Sequence, residues 1–372
     1  MPLNKAIIAR ICVLALIFGI VSAAQPAQAA HIACGEILTS STKLDADLVC
    51  LFGSGLIIGA NGVSVNLNGY TITGDPSVGG SYGIDNTGGF DNVTVKNGKI
   101  VGFEQGIRMI GAEKVNIKDL EFSGQTSSHA IDIKLSEDVA VKNSSFVLPT
   151  VFLGPEAVRL QSVDNVNIKD LDIDGGFIGI NFACFPCDGT PEAPTTGTVK
   201  NNLIKGAFTG VLIANSDDAY VKNNTIRDGV SVVCGFCGPL TIPARGIHVA
   251  FLSNSGTKIS GNEVFDNDGI GIRASGDGTT TGLEVSKNEV HDNASDGIQL
   301  HDAQVSKIAK NEVKDNGGDG ISLLDGSAGN SVEKNVVSGS GGSDLLHDLT
   351  SSPNTWKKNT CGTSSGADIP PC

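Results

Sequence analysis

Ten positions in this 372-residue chain follow a small residue and then an aliphatic one: Asp85, Arg108, Asp132, Arg159, Asn181, Leu212, His248, Arg273, Gln299 and Ser322. Arg108, Asp132 and Arg159 suit a carboxylate-bearing sugar, because an Arg fork pairs a carboxylate through two parallel hydrogen bonds. Asp85, His248 and Arg273 extend that candidate binding set. The same residues would serve β-elimination or epimerisation. A guanidinium would neutralise a uronate carboxylate while a base, an Arg, His248 or His301, removed the adjacent proton. No residue pattern chooses that base. Asp132, between two arginines, should have a lowered pKa and make a poor general acid. The inert alternative is a solvated ladder of alternating charges that avoids like-charge stacking. On the binding reading Arg159→Ala would weaken glycan binding and leave folding nearly intact, whereas on the inert reading binding would be unchanged. The column holds no Trp or Tyr, which argues against a neutral lectin face.

Three turns, Asp266-Asn267-Asp268-Gly269, Asp292 to Asp296-Gly297 and Asp315 to Asp319-Gly320, could stack carboxylates around Ca²⁺, or be ordinary Asp/Asn/Gly turns. Cys184 and Cys187 form one C-x-x-C and Cys234 and Cys237 another, inside insertions at 183–196 and 227–245. Disulfides, a Cys₄ zinc site and redox chemistry all use that motif. The two insertions leave opposite ends of one face, and an exported chain favours oxidation.

These residues are positioned by an internal repeat. VTVKNGKI (93–100), VNIKDLEF (115–122), VAVKNSSF (139–146) and VNIKDLDI (166–173) align without gaps, and the series continues to Trp356. Its anchors are Leu67, Val95, Ile117, Val141, Ile168, Val199, Val221, Ile259, Val285, Ile308, Val332 and Trp356. A period near two dozen residues with β-branched alternation and no helix-length stretch excludes leucine-rich and helical repeats. Two further aliphatic columns, Ile72 to Val337 and Ile84 to Ile321, give three short strands per unit. The result is an all-β parallel β-helix of about 12 coils, with like residues stacked about 4.8 Å apart.

Asn202, Asn224, Asn262, Asn288, Asn311, Asn335 and Asn359 follow their anchors at one fixed offset. Asn tolerates a left-handed turn, and its amide can bond the next rung, so this column reads as structural. Cys34 with Cys50, and Cys361 with Cys372, bracket the two ends, where a solenoid needs caps against exposed edges. Both pairs read as end-cap disulfides. The expected division is a signal peptide at 1–29, a cap at 30–62, the β-helix at 63–360 and a tail at 361–372.

Lys5 and Arg10 precede the apolar run ICVLALIFGIV and the small-residue end Ala27-Gln28-Ala29, the order of a secretory signal peptide. Its apolar run is short for a membrane span and no second candidate follows. Cleavage leaves eight cysteines, and 24 basic residues against 40 acidic ones. An acidic chain of this kind is a poor nucleic-acid binder. A secreted or periplasmic monomer is expected.

The repeat GI-x-(L/V)…V-x-I-x-x-N-x-I, with the opening CGEILTSSTKLDADLVC…GLIIGANGVSVNLNGYTITG, resembles the right-handed parallel β-helix repeats of pectin-lyase-like proteins and of the carbohydrate-binding and sugar-hydrolase domain family. The resemblance covers Cys34 to about Asn359 and implies an exported protein that binds, cleaves or epimerises an acidic polysaccharide. It carries neither a polygalacturonase signature nor the Asp-Pro-His-Asp motif of alginate epimerases, so lyase, hydrolase, epimerase and binder remain open. A non-catalytic envelope or adhesion rod is the competing class. A periplasmic metal-maturation factor, similar to the accessory proteins of nitrous oxide reductase assembly, is the third.

Overall fold

In the computed structural model, strands from successive repeats lie side by side and in parallel from Glu36 to Ser365. The structure describes residues 31–372 except 127, 183–192, 235–237, 239, 251–253, 277–280, 352 and 367. One sheet of 14 strands carries the small-aliphatic motif, and the anchor and second columns form the remaining walls of a closed solenoid. The fold is the right-handed parallel β-helix of about twelve turns, with no helix among the described residues. Strands pair on both sides of the boundaries expected at 62 and 360. The expected signal peptide lies outside the described residues, and no described helix is long and apolar enough to cross a membrane.

Register follows the aliphatic columns. Ile107 pairs with Ile131, Ile131 with Val158, and Ile272 with Ile298, and each of these side chains is buried. Each such residue contributes about 1.5–3 kcal/mol by leaving water. The small residue before it is a packing requirement. A Cβ on Gly106 would stand 2.5 Å from the Ala130 carbonyl oxygen and 2.9 Å from the Phe122 ring. Phe122 itself stacks on Phe146 with ring centroids 4.9 Å apart.

One anchor is misassigned by the repeat alignment. Val65, not Leu67, pairs with Val95, while Ile72 keeps its place opposite Ile100. The first coil is longer by a turn at Asn68 and Gly69, both at positive φ, which displaces the buried Leu67 from the anchor column.

The asparagine ladder is continuous. Each Nδ2 donates to the next Oδ1, from Asn202 to Asn224 (2.9 Å) through to Asn335 and Asn359 (3.0 Å). The left-handed residue is not the ladder asparagine but the one before it, for example Asn223, Lys287 and Lys310. That residue turns the chain, which frees the asparagine to point inward. A second ladder, Asn267 to Asn293 to Asn316, runs five residues further on at 2.8 and 2.9 Å.

Disulfides join Cys34 to Cys50 and Cys361 to Cys372, with Cα atoms 5.5 and 5.0 Å apart, at the two ends. By loop-closure entropy each contributes about 3 kcal/mol. Cys234 is also disulfide-bonded, in a strand (Val232–Cys234) that pairs antiparallel with Leu240–Ile242 inside the second insertion. Cys184, Cys187 and Cys237 lie outside the described residues.

Candidate functional site

On the 14-stranded sheet two columns of side chains contact each other, as Gln105 does Arg108 and Glu156 does Asn181. One is the column that follows the aliphatic. The other immediately precedes the small residue and reads Tyr82, Gln105, His129, Glu156, Ile178, Thr209, Arg245 and Ile270. Four successive rungs of the two columns form one polar cluster.

At its centre Asp132 pairs in register with Arg108 on one side and Arg159 on the other. Arg159 donates Nε to Oδ1 (2.9 Å) and Nη2 to Oδ2 (3.1 Å), and Arg108 donates Nη1 to Oδ2 (3.1 Å). Asp132 is fully buried and the two guanidinium side chains are 20% and 15% exposed, so the ladder is not a solvated one. Burial alone would raise the Asp132 pKa, but the hydrogen bonds and charge of Arg159 outweigh it and hold the carboxyl below the usual range. Arg108 also donates Nη1 to Gln105 Oε1 (3.0 Å) and lies 5.4 Å over the Tyr82 ring.

The preceding column adds two titratable groups that the sequence reading missed. Glu156 is buried and its pKa is pushed up to about 7 by desolvation, against the opposing charge of Arg159. Asn181 Nδ2 donates to Glu156 Oε1 (3.1 Å) and Oε2 (3.0 Å). His129 Nδ1 lies 3.6 Å from Glu156 Oε2. Burial, reinforced by Arg159, lowers the His129 pKa to about 3 and keeps its imidazole neutral. Arg108, Asp132 and Arg159 therefore leave one surplus positive charge beside a protonatable carboxyl and a neutral imidazole.

The other expected site residues are dispersed. Asp85 lies one rung before Arg108, and its Oδ1 accepts the Thr87 backbone N–H (2.9 Å). Leu212 and Ile178 interrupt the polar run. His248 and Arg273 belong to a second cluster beginning three rungs beyond Arg159, roughly 14 Å away by strand spacing. His248 Nε2 lies 2.8 Å from Ser275 Oγ, and burial depresses its pKa well below the usual value. His301 Nε2 pairs instead with Asp325 Oδ2 at 2.7 Å.

The Asp-rich turns are closed by the chain's own donors. Asp296 Oδ2 accepts from Gln299 (2.7 Å) and Ser322 (2.7 Å), and Oδ1 accepts the Asp319 N–H (2.9 Å). Asp266, Asp292 and Asp315 occupy left-handed turn positions, and the inward asparagines beside them form the second ladder. Among the described residues no group of three His, Cys, Asp or Glu side chains is arranged to hold a metal ion.

Residues 156–337 match the family described as "Right handed beta helix region". A search of the curated proteins finds no match. Among solved structures, the chain is similar to a double mutant of the periplasmic alginate epimerase AlgG at 16% identity and TM-score 0.48, covering 73% of this chain and 62% of that one. It is similar to the Streptococcus pneumoniae surface protein and adhesin PfbA at 15% identity and TM-score 0.46, covering 84% and 88%. It also resembles an exopolygalacturonase from Thermotoga maritima at 11% identity and TM-score 0.46, covering 84% of each chain. The chain thus spans about 62% of the epimerase's length.

Proposed function

We propose that this chain, matched over residues 156–337 to the right-handed β-helix family, is an exported protein that binds an acidic polysaccharide along its 14-stranded sheet. The observation that carries this reading is the sharing of one buried carboxylate, Asp132, by two arginines. Their surplus positive charge sits in a chain of formal charge −14, so it is a local attraction for an anionic sugar set against a repulsive global field. The end disulfides fit an oxidising compartment. A non-catalytic envelope or adhesion rod is the second reading, since the same charged sheet can hold a polyanion without turning it over.

Glu156 and His129 favour a catalytic reading within the same site. A carboxyl that titrates near neutrality can give or take a proton, and the imidazole beside it, held neutral, can share a hydrogen bond with that carboxyl or with the sugar. Beside arginines that neutralise a uronate carboxylate, they suit removal of the proton on the carbon bearing that carboxylate, which is the first step of elimination or epimerisation. The test is a panel of polyuronates assayed for binding, for new unsaturated ends and for new reducing ends. Unsaturated ends support a lyase, binding without turnover supports the rod, and no binding to any polyuronate removes the reading.

A further inference from the structure

The second polar cluster on the same sheet differs from the first in one respect: among the described residues no carboxylate is bonded to its arginines. Arg245 precedes the small residue of its strand, and Arg273 follows the aliphatic of the next, so the two lie diagonally across adjacent rungs. Among the described residues neither guanidinium makes a hydrogen bond or ion pair, and the Nε atoms of both are buried without a partner. The carboxylate nearest Arg273 in charge, Asp296, already takes Gln299, Ser322 and the Asp319 N–H. His248, between them on the ladder, is neutral and bound to Ser275. Burial and the neighbouring charge of Arg273 together depress Arg245, to about 10.

Two adjacent guanidiniums, each half-buried with a buried Nε that lacks a partner and with no carboxylate bonded to either among the described residues, are costly unless an anion completes them. We propose that Arg245 and Arg273 form a second oxyanion subsite, which takes a carboxylate or sulfate group of the same polyanionic glycan. This rests on the acidic-glycan reading above and extends it to a ligand long enough to span three rungs, roughly 14 Å. Between the two subsites runs an aromatic strip. Phe152 meets Phe177 edge-on with ring centroids 5.7 Å apart, Phe177 stacks on Phe208 at 4.9 Å, and Arg245 covers Phe208 at 5.8 Å. Phe152 and Phe177 are partly exposed, which gives sugar rings an apolar surface between two charged ends. Engaging both subsites at once would raise the avidity for a polymer well above that for its monomer.

The test is calorimetric titration of the mature protein with sodium sulfate and, separately, with sodium acetate, at constant ionic strength. The expected result is saturable binding of one anion per chain, weakened at least about tenfold in Arg245→Gln/Arg273→Gln and unchanged in Lys142→Gln, which removes the same kind of charge elsewhere. Tighter binding of acetate assigns the subsite to a uronate, and tighter binding of sulfate assigns it to a sulfate ester. No saturable heat with either anion in the wild type overturns the proposal, whether or not the double variant folds. Equal binding by a folded double variant overturns it too. Anion binding without polyuronate binding leaves this subsite standing and removes the glycan reading instead.

Discussion

His129 Nδ1 and Glu156 Oε2 lie 3.6 Å apart on neighbouring rungs, and burial favours the neutral form of both groups. The consequences for stability have opposite signs. Glu156 has a folded pKa of about 7 against an ordinary 4.5, so the folded state binds the extra proton, and stability falls as pH rises from 4.5 to 7. His129 has a folded pKa of about 3 against 6.5, so the unfolded state binds the proton first, and stability falls as pH drops from 6.5 to 3. The wild type should therefore be flattest between 4.5 and 6.5. Glu156→Gln should gain on the wild type between pH 4.5 and 7.5 by up to about 3 kcal/mol, read as urea midpoints. Parallel pH profiles for the two proteins would contradict the buried-carboxyl assignment.

Arg159→Ala should destabilise the fold by about 3 kcal/mol, because it strips the two-point grip from a fully buried carboxylate. This revises the expectation from sequence that folding would be almost untouched, since burial of Asp132 depends on how neighbouring rungs close over it. Asp132→Asn in the same chain should recover part of the loss, and a double-mutant cycle measures the coupling. Additive losses would mean that the pair does not interact.

Much of the fold was legible in the sequence. The columns through Ile107, Ile131 and Val158, and the asparagines from Asn202 to Asn359, hold in register because packing allows only one aliphatic or amide per corner per coil. The slip at Leu67 arose where an extra turn changed the count of residues between two columns. Half of the candidate site was missed for a different reason. His129, Glu156 and Arg245 stand before the small residue at the same offset as Tyr82 and Gln105, so the signal was present. An alternation of faces carried backward from the aliphatic places them wrongly, because the residue before the small one bonds the outward column, as Gln105 does Arg108 and Glu156 does Asn181. The second asparagine ladder, five residues past the first, was likewise concealed among the aspartates of the turn.

Asn288→Ala should cost on the order of 2–4 kcal/mol, measured by urea unfolding. It leaves the Asn262 amide and backbone N–H without the Asn288 acceptor and takes the Asn288 Nδ2 donor from the Ile259 carbonyl and from Asn311 Oδ1, which keeps only the backbone N–H of residue 288. A loss below about 0.5 kcal/mol, the range of ordinary surface changes, would show the ladder to be dispensable.

Ile298→Asp should abolish folding or cause aggregation, since the side chain is buried between Ile272 and Ile321 and would carry an unpaired charge. Ile298→Val should cost only about 1 kcal/mol. Wild-type-like melting of the Asp variant would contradict the inward register.

All eight cysteines after residue 29, from Cys34 to Cys372, should resist alkylation without reductant in the exported protein. Intact mass reads this directly. Labelling at Cys184, Cys187 or Cys237, or one zinc per chain by elemental analysis, would contradict a fully oxidised set.

The central claim is tested most directly by calorimetry of the mature protein with a polyuronate, in low and in moderate salt, for the wild type and Arg108→Gln. Arg108 is partly exposed and its loss leaves Asp132 in the grip of Arg159, so the variant should fold. Saturable binding that weakens with salt and falls about tenfold in Arg108→Gln is the predicted result. Equal affinity in the two proteins, or no binding of any polyuronate by the wild type, would contradict it.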